Sequence, residues 1–279
     1  MSLPTTKTAF GEKKNMLRFL KALSLALVFA ALIIIMTSCG SSSAKARFVN
    51  AIADSNDYNN EGLDIYFGNS KGFTDIPFGA ASASTYVSVP SGNQTVAAYL
   101  TGQPTTSTPV FTHPGVNLGS GSLYTLVATG SAAGNGSNVV ILAPTDNNTA
   151  PANGSVNFRI INASPSGPVG GGSTPDIYLI PNPASGVLPS CTTANGCVSG
   201  LAYQGTSPYI TLPINTEGNG WQLFVTQTGS QQQQFSTTIT GFGSSAEGAI
   251  CTIVLTDQQN GSIMSSNPIL LNDLNGCTN

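Results

Sequence analysis

Arg47-Phe48-Val49-Asn50-Ala51, followed by Leu63-Asp64-Ile65-Tyr66, returns later in the chain as Arg159-Ile160-Ile161-Asn162-Ala163, followed by Pro175-Asp176-Ile177-Tyr178. Both arginines and both aspartates stand 112 positions apart, so the two motifs share one offset. A shared offset across separated motifs points to a tandem duplication of one domain. The alternation of Leu63, Ile65 and Phe67 with Asp64 and Tyr66 is the period of a half-buried strand.

Outward from this pair, runs rich in Val, Ile, Tyr, Phe and Thr recur between Gly, Pro, Asn and Ser punctuation. They give candidate strands at 45–52, 62–68, 84–90, 94–101, 109–113, 122–129 and 138–143. Tyr209-Ile210-Thr211-Leu212-Pro213 answers Tyr86-Val87-Ser88-Val89-Pro90, and Thr252-Ile253-Val254 answers Thr125-Leu126-Val127. Nothing after Cys39 carries a helical period. The expected fold is all-β: two tandem immunoglobulin-like β-sandwich domains, at 45–143 and 155–279, joined by a linker at 144–154. Between Tyr178 and the next shared strand the second copy is longer by about a dozen residues, an insertion that contains Cys191 and Cys197.

Charged residues make up 8% of the 279-residue chain, well under the usual share of about a quarter. After the apolar leader only Lys45, Arg47, Lys71 and Arg159 are basic, against eleven acidic residues, and nucleic-acid binding is excluded for want of clustered cations. The leader itself is a basic stretch ending at Lys21 and an apolar run from Ala22 to Met36, too short to span a bilayer and suited to a signal peptide over 1–38. Residues 1–15 read as surplus ahead of a start at Met16. Met36-Thr37-Ser38-Cys39-Gly40 resembles the bacterial lipobox, which implies cleavage before Cys39, a lipid on its sulfur, a tether at 39–44 and anchoring in the cell envelope, expected at the outer membrane.

With Cys39 acylated, four cysteines remain, an even number in an oxidising compartment. Three pairings are open; Cys191 with Cys197 closes a short loop around Asn195-Gly196, and Cys251 with Cys277 staples the C-terminal tail, and these are the expected pairs. The spacing does not suit zinc, and no metal or cofactor is expected. The loop 54–61 is rich in Asp and Asn but departs from calcium-loop spacing, so an Asx-rich turn is expected. His113 is the sole histidine and precedes Pro114, a surface residue without a catalytic context. No Gly-x-Ser-x-Gly elbow or phosphate-binding loop occurs, and Gly170-Gly171-Gly172 precedes no helix.

Arg47 with Asp64, and Arg159 with Asp176, are separated by 17 residues in each copy, enough for one strand to turn and lie beside the next. Cross-strand ion pairs that fix register are the expectation for all four. No catalytic residue is assigned. Tyr58, Tyr203 and Trp221 would point to carbohydrate if exposed on loops and to packing if not.

The Arg-bearing strand, Asn162-Ala163-Ser164-Pro165, Asp-Ile-Tyr, an aromatic-Gly pair, Tyr-x-x-x-Pro and a late Tyr-Thr strand together resemble the bacterial family known as domain of unknown function 4397. Asn50-Ala51-Ile52-Ala53 departs from the pattern, and many members have His where Asn50 and Asn162 stand. The resemblance runs from Lys45 to the C-terminus in two copies and implies exported, often lipid-anchored β-domains without an established activity. The expectation is a non-enzymatic binding or presentation module held at a membrane, with an envelope protein or glycan as partner. An envelope glycan hydrolase using loop carboxylates, or a structural spacer, is the alternative.

Overall fold

The computed structural model describes residues 43–275 except 54–60, 84, 134–135, 183–186, 216–219, 240–247 and 260. The expected leader, Cys39, most of the tether, Tyr58 and nearly all of the acidic loop lie outside the described residues, and Glu61 of that loop is exposed. Among the described residues no helix is long and apolar enough to cross a membrane.

The first half contributes β1 (Ser43–Ile52), β2 (Leu63–Phe67), β3 (Ser70–Ile76), β4 (Ala80–Ala81), β5 (Val87–Pro90), β6 (Gly92–Leu100), β7 (Phe111–Leu118), β8 (Leu123–Gly130) and β9 (Val140–Leu142). These form two sheets, β4-β1-β8-β9 with β5 also on β1, and β3-β2-β6-β7. β1 runs parallel to β8 and antiparallel to β4 and β5. Phe48, Ile65, Phe67, Val96, Phe111, Leu118 and Leu126 fill the space between the sheets. The result is the expected all-β sandwich. β3 and β4 were not legible as strands: Ser70-Lys71-Gly72 is polar and glycine-bearing, and only Phe73 and Ile76 of β3 are buried. β3 is an edge strand, where one row of backbone groups faces solvent and the alternation weakens.

The second half contributes β10 (Ser155–Asn162), β11 (Pro175–Pro181), β12 (Cys197–Val198), β13 (Ile210–Pro213), β14 (Trp221–Gln227), β15 (Gln233–Ile239), β16 (Ile250–Leu255) and β17 (Ile269–Leu274). The sheets are β13-β10-β16-β17 and β12-β11-β14-β15. β10 and β16 again run parallel, with Arg159 opposite Thr252 as Arg47 lies opposite Thr125. The core packs Phe158, Ile160, Ile177, Leu223 and Val225 around Trp221, whose ring meets Phe158 edge-on at 5.3 Å. Trp221 is core, 1% exposed, and offers nothing to a ligand.

The described residues from Ser43 onward cluster as one unit. The sheets holding β1 and β10 pack face to face: Val49, Ala51 and Val127 from one meet Ile161, Ala163, Val254, Ile269 and Leu271 from the other. A strand exposes alternate residues to its two faces. Phe48 therefore enters the core of its own sandwich while Val49 and Arg47 enter the junction between sandwiches. The near-continuous burial of β1, β8, β10 and β16 follows from this sharing.

Candidate functional site

Arg47 and Arg159 lie in the junction, at 0% and 2% exposure. Each begins with its own sandwich: Arg47 Nε donates to Thr125 Oγ1 at 2.9 Å, and Arg159 Nε to Thr252 Oγ1 at 3.2 Å. Each then reaches across. Arg47 Nη1 donates to the Asn272 carbonyl at 3.2 Å and Nη2 to the Asp273 carboxylate. Arg159 Nη1 donates to the Thr145 carbonyl at 2.9 Å and Nη2 to the Asp146 carboxylate. The Thr125 and Thr252 hydroxyls donate hydrogen bonds to the Asp146 and Asp273 carboxylates, both at 2.7 Å. Tyr86 and Tyr209 lie against the guanidinium groups of Arg47 and Arg159 at 5.2 and 5.0 Å, and their hydroxyls reach Asp146 and Asp273 at 2.6 and 3.4 Å.

The exchange is reciprocal, as in a two-fold interface between identical subunits. Two guanidinium groups and two carboxylates balance in a buried space. Burial pushes the Asp273 carboxyl above the ordinary carboxylate value, against the pull of the Arg47 charge. It also pushes up both phenols, Tyr86 far beyond the ordinary range and Tyr209 less so, which keeps them as donors.

The expected pairs Arg47–Asp64 and Arg159–Asp176 are therefore corrected. β1 and β2 belong to different sheets, and so do β10 and β11. The arginines face the junction, whereas the aspartates face outward from the far sheets. Asp64 pairs with Lys71 at 2.6 Å and accepts the Asp75 amide at 3.1 Å. Burial alone would raise the Asp64 carboxyl, but Lys71 and the Asp75 and Gly102 amides outweigh it and hold the carboxyl below its ordinary value. Asp176 accepts from Ser199 Oγ at 2.8 Å and from the Gly200 and Gly229 amides at 2.7 and 3.0 Å. Both aspartates tie down turns.

Asp146 and Asp273 were missed because one stands in the expected linker and the other in the tail. Their offset held the signal: they are 127 apart, as are Thr125 and Thr252. Pro144 to Asp146 continues alongside β8, with the Asp146 amide on the Leu123 carbonyl at 2.9 Å.

Cys191 and Cys197 form the expected disulfide. Cys251 is fully buried on β16 and disulfide-bonded, and its expected partner Cys277 lies outside the described residues. His113 is half-buried on β7 opposite Val96, with Nδ1 buried and without a partner. Among the described residues no group of three or more His, Cys, Asp or Glu is placed to hold a metal.

At one end of the junction a cleft of about 430 Å³ opens between the sandwiches. Ala53, Gly130, Ser131 and Asn138 line it from the first, and Pro165, Tyr203, Asp257 and Gly261 from the second. Gly130 has φ +104°, and a Cβ there would fall 2.3 Å from the Asn138 carbonyl oxygen and 3.4 Å from the Tyr203 hydroxyl. Only glycine suits that backbone and that space. Asp257 is 1% exposed and accepts from the Ser164 hydroxyl and, at 3.3 and 3.4 Å, from the Ser166 amide. Burial raises its proton affinity more than these bonds lower it. Asp257 stands 127 positions after Gly130, so the two halves differ here: a carboxylate in one, no side chain in the other.

Residues 44–169, from the second residue of β1 into the loop after β10, match the family model described as "Domain of unknown function (DUF4397)". No curated protein matches the chain. Among solved structures, the TIE protein of Bacillus anthracis aligns at 8% identity and a TM-score of 0.20, over 77% of this chain and 34% of its own. A leucine-rich repeat protein of Bacteroides thetaiotaomicron aligns at 12% identity and a TM-score of 0.19, over 72% of this chain and 24% of its own. The chain thus spans about a third of the first and a quarter of the second, and scores this low carry nothing about fold or function.

Proposed function

We propose that this chain is an exported, lipid-anchored protein of the bacterial cell envelope, made of two tandem copies of the family domain and acting by binding or presentation. The lipobox at Cys39 supports anchoring, at the outer membrane in this reading. The repeated Arg, Thr, Tyr and Asp positions, reciprocal across the junction, support the duplication. The observation that carries the binding reading is the cleft between the halves, a concavity to which both sandwiches contribute and which neither would form alone. Clefts at such interfaces are the usual seat of small-ligand sites.

The glycan-hydrolase alternative is weaker on the same geometry. Hydrolysis of a glycosidic bond uses two carboxyl groups flanking it, and among the described residues Asp257 is the only carboxylate lining the cleft. Asp146 and Asp273 are engaged by arginines. Two measurements test the proposal. Cys39→Ser should move the protein from the membrane to the soluble fraction, and unchanged membrane association would reject the anchor. Cross-linking in intact envelopes should capture a component through the wild-type protein and much less of it through Tyr203→Ala; equal capture would reject the cleft as the working surface.

A further inference from the structure

The cleft has walls of distinct chemistry. Ala53, Pro165 and the half-buried Tyr203 supply apolar surface, and Gly130 and Gly261 keep the floor free of side chains. Ser131, Asn138 and the buried Asp257 supply the polar groups. Among the described residues no basic side chain lines the cleft. An anionic ligand would meet a buried carboxylate with no cation to offset the repulsion. A cationic ligand would find a poor counter-ion, since the Ser164 hydroxyl and the Ser166 amide already occupy the Asp257 carboxylate. It would also find one aromatic ring, where cages for ammonium groups use several. A ligand that is both donor and acceptor, with one apolar face, fits all the walls. The volume of about 430 Å³ lies in the lower part of the range for small-ligand sites, room for one or two sugar rings.

We propose that the inter-sandwich cleft binds a neutral sugar unit, its C–H face against the Tyr203 ring and its hydroxyls toward Asn138 and Ser131. This rests on the reading of the chain as a binding module and adds the ligand class. Tyr203 is the positioning platform: an aromatic ring combines apolar area with a polar edge. Gly130 is the space-giving position.

The test is saturation-transfer NMR on the detergent-solubilised full chain, with glucose, galactose and N-acetylglucosamine as neutral probes. Glucuronate and protonated glucosamine are the charged counterparts of matched size. At least one neutral sugar should bind in the millimolar range. Tyr203→Ala should weaken it by about tenfold or more, and Asn138→Ala by a smaller factor. Both side chains are partly or fully exposed, so both variants should keep the wild-type Tm. Absence of binding by all three neutral sugars overturns the proposal. So does binding that neither variant changes, or tighter binding of glucuronate or glucosamine than of the neutral probes. If no sugar binds while cross-linking in intact envelopes still depends on Tyr203, the sugar assignment falls and the binding reading stands.

Discussion

On the outer sheet of the first sandwich, Tyr66 and Tyr99 meet edge to face at 5.5 Å, and Lys71 lies 5.3 Å over the Tyr66 ring with 40% of its side chain exposed. On the outer sheet of the second, the corresponding Tyr178 is 2% exposed and lies with Phe224 beneath Leu188 and the Cys191–Cys197 bridge. The inner sheets differ little, and position for position Arg47 and Arg159, Thr125 and Thr252, and Asp146 and Asp273 do the same work. Where the halves touch, each side chain must satisfy a partner in the other half, and a change on one side leaves a buried charge unpaired. Where they face away, an insertion costs only its own loop closure, which grows slowly with length. The second half has used that freedom to cover its outer face.

The largest effect should come from breaking the likeness of the inner faces. Arg47→Met and Arg159→Met should each lower unfolding stability by about 3–5 kcal/mol, because Asp273 loses the Arg47 guanidinium and Asp146 keeps only the more distant one, Arg47 at 3.7 Å. The two losses should agree within about 1 kcal/mol if the halves are energetically equivalent. Adding Asp146→Leu to Arg159→Met should recover part of the loss, and denaturant titration of the single and double variants measures both. A cost near zero for either arginine would show the exchange to be incidental.

The next two predictions concern the half with the cysteines, since residues 45–154 contain none. Non-reducing peptide mapping should join Cys251 to Cys277, and removing that bridge should cost about 3 kcal/mol on chain-entropy grounds. Removing Cys191–Cys197, a much shorter loop, should cost about 2 kcal/mol. That second loss should appear locally, as faster hydrogen exchange in β11 and β12 with the first half unchanged. Equal loss of protection in both halves on reduction would contradict the comparison.

A smaller difference separates Asp257 from its counterpart Gly130. The folded state raises the Asp257 pKa above its ordinary 3.8. The folded form therefore holds a proton that the unfolded form has released, and the contribution of Asp257 to stability falls as pH rises from 3.8 toward the folded value. Against Asp257→Asn, which does not titrate, wild-type stability should decline over that window and then level off. A rising difference would mean the Ser164 and Ser166 bonds outweigh burial. Smallest of all, Lys71→Ala should cost under about 1 kcal/mol, because the lysine is partly exposed and the Asp75 and Gly102 amides still hold the Asp64 carboxylate.

Much of this was legible in one chain. The repeat of Arg47 and Asp64 at 159 and 176, together with strand-period alternation, was enough for two β-sandwich halves, because inside-outside alternation is a local property. The Cys191–Cys197 loop was legible for the same reason: its ends are close in sequence. The Arg–Asp partnership was not. A 17-residue separation permits neighbouring strands, but β1 and β2 enter opposite sheets, and nothing local records that choice. Arg47 takes its partners from Asn272 and Asp273, 225 and 226 positions away, and Arg159 takes its own from Thr145 and Asp146, close in sequence but belonging to the other sandwich.

The sequence by itself determined most of the strands and the duplication of motifs, since each rests on the order and period of neighbouring residues. Tertiary structure alone decided which faces of β1 and β10 meet, which carboxylate neutralises each arginine, and that Ala53, Tyr203 and Asp257 enclose one cleft. Those outcomes depend on burying two apolar sheet faces together. That free energy is gained only when both halves are folded and docked, and no short stretch of the chain carries it.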